Sequence, residues 1–221
     1  MSSAPDRTEQ RQLRYFGKVT ASVSHELKNV LAILNEQAGL LQDFAVMAER
    51  GQPLDAERIR RLSATMLGQI GRGDAIVKRM NRFAHSADQD RATVDLGALA
   101  TMVVEMFGRT AATRGVTVEL KAAGIAVSLS THPFALETLL GSLLDRLTAA
   151  VPGIGTLGIQ LHSLAAAAQI RMSGLAEQAG AVTGVLESED VRALLTALRA
   201  SAGFSRESGE LFITLPGDID A

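Results

Sequence analysis

Among side chains able to act as nucleophiles or to carry a transferred group, the chain offers four histidines and no cysteine. His25 stands in the run Ala21-Ser-Val-Ser-His25-Glu26-Leu27-Lys28-Asn29-Val30. A neutral imidazole is a good nucleophile and titrates near physiological pH, so an exposed one has what a phosphoryl acceptor needs. Glu26, the next residue, is a candidate to accept its ring proton. Asn29 projects from the same helical face one turn later and Ser22 lies about one turn earlier. An amide can orient water but is neither nucleophile nor strong base. A lone helical histidine is in general only a surface residue, so these types and spacings permit phosphoryl chemistry without requiring it. His85, His132 and His162 are weaker candidates. No pair of histidines has metal-ligand spacing, and no protein-bound structural metal is expected.

A long helix must position His25. Phe16, Thr20, Val23, Leu27, Val30, Leu34, Ala38, Leu41 and Phe44 alternate in steps of four and three with no proline between them, which predicts a helix over about residues 8–48 with a coiled-coil-like stripe. His25 lies about 200° of helical rotation from Val23, so it points away from that stripe. Gly51-Gln52-Pro53 breaks the pattern, Asp55 is a candidate cap, and Ile59, Leu62, Met66, Ile70, Val77, Met80 and Phe83 predict a second helix. Gly68, Gly71 and Gly73 weaken it locally. The two form an antiparallel hairpin with arms of roughly 50 Å. A hairpin of that length covers only one side of each stripe, so a homodimeric four-helix bundle is expected.

Residues 86–93 lose the pattern and read as a linker. Beyond it a different rhythm begins: a helix at 95–114, a strand pair at 116–121 and 125–130, a helix at 133–150, strands at 156–163 and 169–173, a helix at 188–202, and a closing pair at 204–207 and 210–215. That order gives a two-layer α/β domain. The expected organisation is a hairpin over 1–88, a linker over 89–93 and an α/β domain over 94–221.

Apolar residues make up 47% of the chain and aromatic ones only 4%, a balance that suits packed helices. Without cysteine, disulfides, zinc fingers, iron–sulfur clusters and thiol catalysis are excluded. The N-terminus is polar and charged, and no segment approaches the ~20 apolar residues that span a bilayer, so a soluble, cytoplasmic protein with no membrane partner is expected. With a net charge of −2 there is no reason to expect a nucleic-acid partner.

Ser24-His25-Glu26-Leu27-Lys28-Asn29 closely resembles the H box of sensor histidine kinases. The resemblance implies that His25 is phosphorylated, that Glu26 acts as base, and that Asn29 positions water for removal of phosphate from a response regulator. The family usually has proline next; Val30 stands here, without the ring that bends the helix. A dimeric helical hairpin followed by a Bergerat-type α/β domain is also the family's plan. His132-Pro133-Phe134-Ala135-Leu136-Glu137 through Asp145-Arg146-Leu147 resembles the helix that carries the family's N box, and 203–216 its closing hairpin.

The residues that would bind ATP differ from the family's. Ser142 and Arg146 stand where its two N-box asparagines would be, and a cation at Arg146 would repel magnesium. Ser173-Gly174-Leu175-Ala176 replaces the adenine-binding segment, and Glu187-Ser188-Glu189-Asp190 replaces a glycine-rich one. Gly174, Gly180 and Gly184 match no phosphate-binding fingerprint and read as ordinary turns. No stably bound cofactor and no ATP are therefore expected; magnesium is expected on a receiver partner. A histidine-bearing dimer with a degenerate kinase domain resembles the dimeric histidine phosphotransferases of bacterial phosphorelays, whose partners are response-regulator receiver domains. No attached sensor, membrane or receiver segment is expected, which fits an intermediary. Two other readings use the same residues: a diverged ATP-dependent histidine kinase, separable by nucleotide binding, and a non-catalytic pseudokinase scaffold, separable by phosphate transfer at His25.

Overall fold

The computed structural model describes residues 7–121, 127–151, 153–176 and 178–217. Helix α1 runs unbroken over Arg7–Glu49 and α2 over Ala56–Ser86. Gly51, at φ +76°, supplies the left-handed residue that lets the chain leave α1. Asp55 then accepts hydrogen bonds at Oδ1 from the backbone N–H groups of Glu57 and Arg58, at 2.9 and 3.1 Å, and so caps α2. The three glycines expected to weaken α2 do not interrupt it.

The chain forms two compact units, one over Val19–Arg82 and another made of the residues up to Lys18 and from Phe83 onward. In the first, Val19, Val30, Leu62 and Ile76 are buried in the hairpin seam. The α1 stripe lies as expected, and Gly73 comes so close that an added Cβ would stand 3.5 Å from the Val30 side chain. Val30, in the position where the resembled motif has proline, is a seam residue. The α2 stripe needs correction. Ile70 and Val77 are 55% and 44% exposed, and the seam runs instead through Gln69, Gly73 and Ile76. Steps of three and four from Leu62 lead to those positions, whereas successive steps of four to Ile70 drift around the helix.

The second unit begins and ends differently from the linker boundary expected at 89–93. Phe16 of α1 stacks on Phe83 of α2 at 5.5 Å between ring centroids, and both approach Phe134. The last residues of α2 and the first turns of α1 thus belong to the α/β body. The segment read as a linker contains the start of a strand, β1 (Ala92–Asp95).

After β1 come α3 (Leu96–Thr113), β2 (Thr117–Leu120), β3 (Ser128–Thr131), α4 (Pro133–Ala150), β4 (Thr156–Leu164), β5 (Ala167–Ser173), α5 (Ala179–Glu187), α6 (Glu189–Ala197), β6 (Ser201–Ser205) and β7 (Glu210–Pro216). Asp95 caps α3 by accepting from the N–H groups of Gly97 and Ala98. A five-stranded sheet has the order β2-β4-β5-β7-β6, and β1 pairs with β3 in a separate antiparallel ribbon. The expected pairing of the strands near 116–121 and 125–130 is therefore corrected: β2 runs parallel to β4, and β3 pairs with β1. Residues 125 and 126 of that expectation lie outside the described residues.

Alternate side chains of β5 and β7, Ala168, Ile170 and Met172 with Leu211, Ile213 and Leu215, are buried under the helices, while the intervening ones, mostly polar, lie on the other face and are half-buried. Leu136, Leu139, Leu143, Leu144 and Leu147 of α4 are fully buried in the core. This is the two-layer α/β sandwich expected. The helix expected at 188–202 is α6, which ends at Ala197 before β6, and α5 precedes it where no helix was expected. The chain leaves α6 through Arg199, at φ 48°, and Gly180 and Gly184 lie inside α5 rather than in turns; Gly174, at φ +95°, is in one.

Candidate functional site

His25 and Asn29 occupy successive turns of α1 and are exposed on its outer side, with Ser22 half-buried beside them. The helix explains this placement: the seam is filled by Val19, Val23, Leu27 and Val30, and His25 falls on the face opposite. An imidazole there is open to solvent and to a macromolecule large enough to bring a reacting group to it.

Glu26 is not on that face. It turns toward α2, where its Oε2 lies 3.9 Å from a guanidinium nitrogen of Arg79, and both side chains are mostly shielded from solvent. The structure therefore brings His25 and Asn29 together and engages Glu26 in an ion pair across the hairpin. Arg79 is the residue that reading the sequence alone passes over. Its signal was a cation three residues after Ile76 and four before Phe83, a core-facing interval in which an arginine calls for a carboxylate.

Ion pairs join the first turns of α1 to α4 and α6. Arg146 on α4 pairs with Asp190. Arg11 on α1 reaches both Glu189, at 2.7 Å, and Asp190, at 2.6 Å. The acidic pair at the start of α6 thus receives two guanidinium groups and also favours the positive end of its own helix. Below it, the Asp145 carboxyl accepts from Lys18 at 3.0 Å and from Arg114 at 2.8 Å. Burial pushes that carboxyl upward, but these two cations outweigh burial and hold it below its ordinary value.

Of the other histidines, His85 is exposed with Nδ1 3.3 Å from Asp88, His132 precedes Pro133 as the cap residue of α4, and His162 lies on β4. No helix among the described residues is long and apolar enough to cross a membrane.

No protein-family model and no curated protein matches the chain. Among solved structures it is similar to the Acinetobacter baumannii histidine kinase AdeS, at 17% identity over 87% of this chain and 98% of that one, with a TM-score of 0.45. It is also similar to the ATP-binding domain of PrrB from Mycobacterium tuberculosis, at 19% identity over 58% and 98% of the two chains, with a TM-score of 0.46. The cytoplasmic segment of histidine kinase QseC is a third, at 20% identity over 67% and 95%, with a TM-score of 0.39.

Proposed function

We propose that this chain is a histidine phosphotransferase that relays phosphoryl groups between receiver-domain aspartates in a bacterial phosphorelay, with His25 as the acceptor. The observation that carries the reading is the exposure of His25 on the outer face of α1, within a run that resembles an H box. In the proposed step a neutral ring nitrogen of His25 attacks the phosphorus of a receiver's aspartyl phosphate. An N–P bond forms, the acyl O–P bond breaks, and the receiver's aspartate leaves as a carboxylate. Magnesium held by the receiver offsets charge on the moving group. Glu26 is the proposed acceptor of the ring proton, a role for which its side chain must leave the ion pair with Arg79 and turn to the outer face of α1. The reverse step loads a second receiver.

The ion pairs at Arg146 support a relay over an ATP-dependent kinase, because a guanidinium occupies the position where the resembled family places a metal-binding amide. The test mixes the purified chain with radiolabelled ATP and magnesium in one arm and with a phosphorylated receiver in the other. Label from the receiver alone is expected. Label from ATP alone would make the chain a kinase.

We further propose a homodimer formed by the hairpins. Leu67, Ile70 and Val77 lie exposed along α2, and Leu31 is exposed on α1. Apolar rows of this kind on a helical hairpin are what a second copy covers in a four-helix bundle, giving two His25 sites per dimer. Asn29→Ala is expected to accept phosphate at the wild-type rate but to lose any hydrolysis of a receiver's phospho-aspartate by about tenfold or more, since an amide orients water. Parallel transfer and hydrolysis assays check this, and equal loss of both would make Asn29 a docking residue instead.

A further inference from the structure

At the root of the hairpin a carboxylic acid is buried against an aromatic cluster. Glu137, on the second turn of α4, is 3% exposed, and its Oε2 stands 2.6 Å from the hydroxyl of Ser86, the last residue of α2. The same hydroxyl lies 2.7 Å from the carbonyl oxygen of Phe83. A serine hydroxyl has one proton, so it cannot donate to both acceptors at once. The Ser86 hydroxyl serves the Phe83 carbonyl at a helix end where the Ala87 N–H, the ordinary partner of that carbonyl, bonds to Ala84 instead. Only a neutral Glu137 satisfies every group: its O–H donates to Ser86, and Ser86 donates to Phe83. An ionised Glu137 takes the serine proton for itself and strands the carbonyl.

Tyr15 of α1 packs against the same helix. Its phenol stands where a side chain on Gly141, one turn beyond Glu137, would otherwise project. Its ring meets Phe83 edge-on at 5.8 Å, beside Phe16 and Phe134. The titratable groups on the surrounding elements have other partners. Lys18 on α1 pairs with Asp145 on α4, Arg11 with Glu189 and Asp190, and His85 on α2 with Asp88 in solvent, while Arg91 donates to Ser130. Tyr15 is the group whose ionisation Glu137 influences, together with Asp145 and with burial as the main cause; all three push the phenol upward.

We propose that Glu137, Ser86 and Tyr15 form a proton-operated latch that fastens the end of α2 and the first turns of α1 to α4 when Glu137 is neutral and loosens them when it ionises. Burial pushes the Glu137 carboxyl up to about 7, against a smaller opposing effect of the Ser86 hydrogen bond, so the latch works across neutral pH. Neither His25 nor phosphoryl chemistry takes part in the latch.

The chain has one tyrosine and no tryptophan, so emission excited near 275 nm reports Tyr15 alone. In the full-length protein this emission is expected to change sigmoidally with a midpoint near pH 7, and hydrogen exchange over residues 10–18 and 83–88 to speed up above it. Glu137→Gln keeps a neutral donor toward Ser86 and all four histidines. It is expected to hold emission and exchange at their low-pH levels throughout. Ser86→Ala removes the hydroxyl through which Glu137 acts on the end of α2, and the pH dependence of exchange over residues 83–88 should disappear. Stability carries the same sign. The folded state binds the proton more tightly than the unfolded chain, so this contribution is complete below pH 4.5 and is lost as pH rises toward about 7. Glu137→Gln should flatten the fall in urea midpoint over that window. A wild-type emission that stays flat, a transition that persists unchanged in Glu137→Gln, or a pH-dependent exchange over residues 83–88 that persists in Ser86→Ala would overturn the latch.

Discussion

His25→Ala is expected to lose phosphoryl acceptance from a receiver by at least about a thousandfold, because a methyl group offers no nucleophile and no neighbour takes its place. His25→Gln is expected to lose as much: it keeps a polar side chain of similar reach but has no ring nitrogen to form an N–P bond. Both variants should retain the wild-type circular dichroism, since the residue is exposed on the outer face of α1 and contributes nothing to the seam. The check is label transfer from a phosphorylated receiver, with circular dichroism in parallel. Normal transfer in His25→Ala would place the acceptor elsewhere and remove the basis of the proposed function.

The next largest effect is expected at the uncovered side of the hairpin. Replacing both Ile70 and Val77 with glutamate should leave the single chain folded, because both are already 55% and 44% exposed in it. In a dimer seam the same changes would each forfeit about 2 kcal/mol of apolar burial and add the desolvation of a carboxylate. With two copies of each site in a symmetric interface, association should weaken by many powers of ten. Light scattering at micromolar concentration is expected to give twice the chain mass of 23.3 kDa for the wild type and the chain mass for the variant. A wild type that is monomeric under those conditions contradicts the bundle, and a variant that stays dimeric places its interface on another surface.

The sequence made the hairpin legible because both helices are long, proline-free and closed at recognisable ends, with Gly51 and Asp55 behaving as their types require. It misplaced part of α2 for a physical reason. Gln69 and Gly73 occupy seam positions without being apolar, while Ile70 and Val77 are apolar without being in the seam. A pattern built on hydrophobicity alone connects the wrong residues. The apolar side chains it borrowed are those proposed to meet a second copy.

In the α/β unit the helices and strands were largely readable from periodicity, but pairing was not. β2 and β3 are neighbours in the chain and look like a hairpin, yet β2 adds in parallel beside β4 while β3 turns to β1, a strand hidden in what read as a linker. Parallel pairing is fixed by tertiary packing rather than by a turn signature. α5 escaped notice because Gly180 and Gly184 read as turn residues, and the burial of Val182 and Val185 in the core outweighs their low helix propensity.

At the candidate site, His25, Glu26 and Asn29 were all visible as residue types, but their division was not. Glu26 shares the chain position of an acid–base partner and the geometry of a seam ion pair, and only the opposite helix, through Arg79, distinguishes the two. The buried trio of Tyr15, Ser86 and Glu137 comes from three separate stretches of sequence. Long-range packing of that sort leaves no periodic trace.

The central claim is that phosphate passes through His25 rather than arriving there from ATP, and a chase between two receivers tests it most directly. The wild-type protein is incubated with a receiver phosphorylated on its aspartate, separated from it, and then mixed with a second receiver and magnesium. The label on this protein should be lost in acid and stable in base, as expected of a phosphoramidate, and should move to the second receiver while the protein itself returns to the unlabelled state. Labelling that appears only with ATP, or label that neither enters from a receiver nor leaves to one, would contradict the relay.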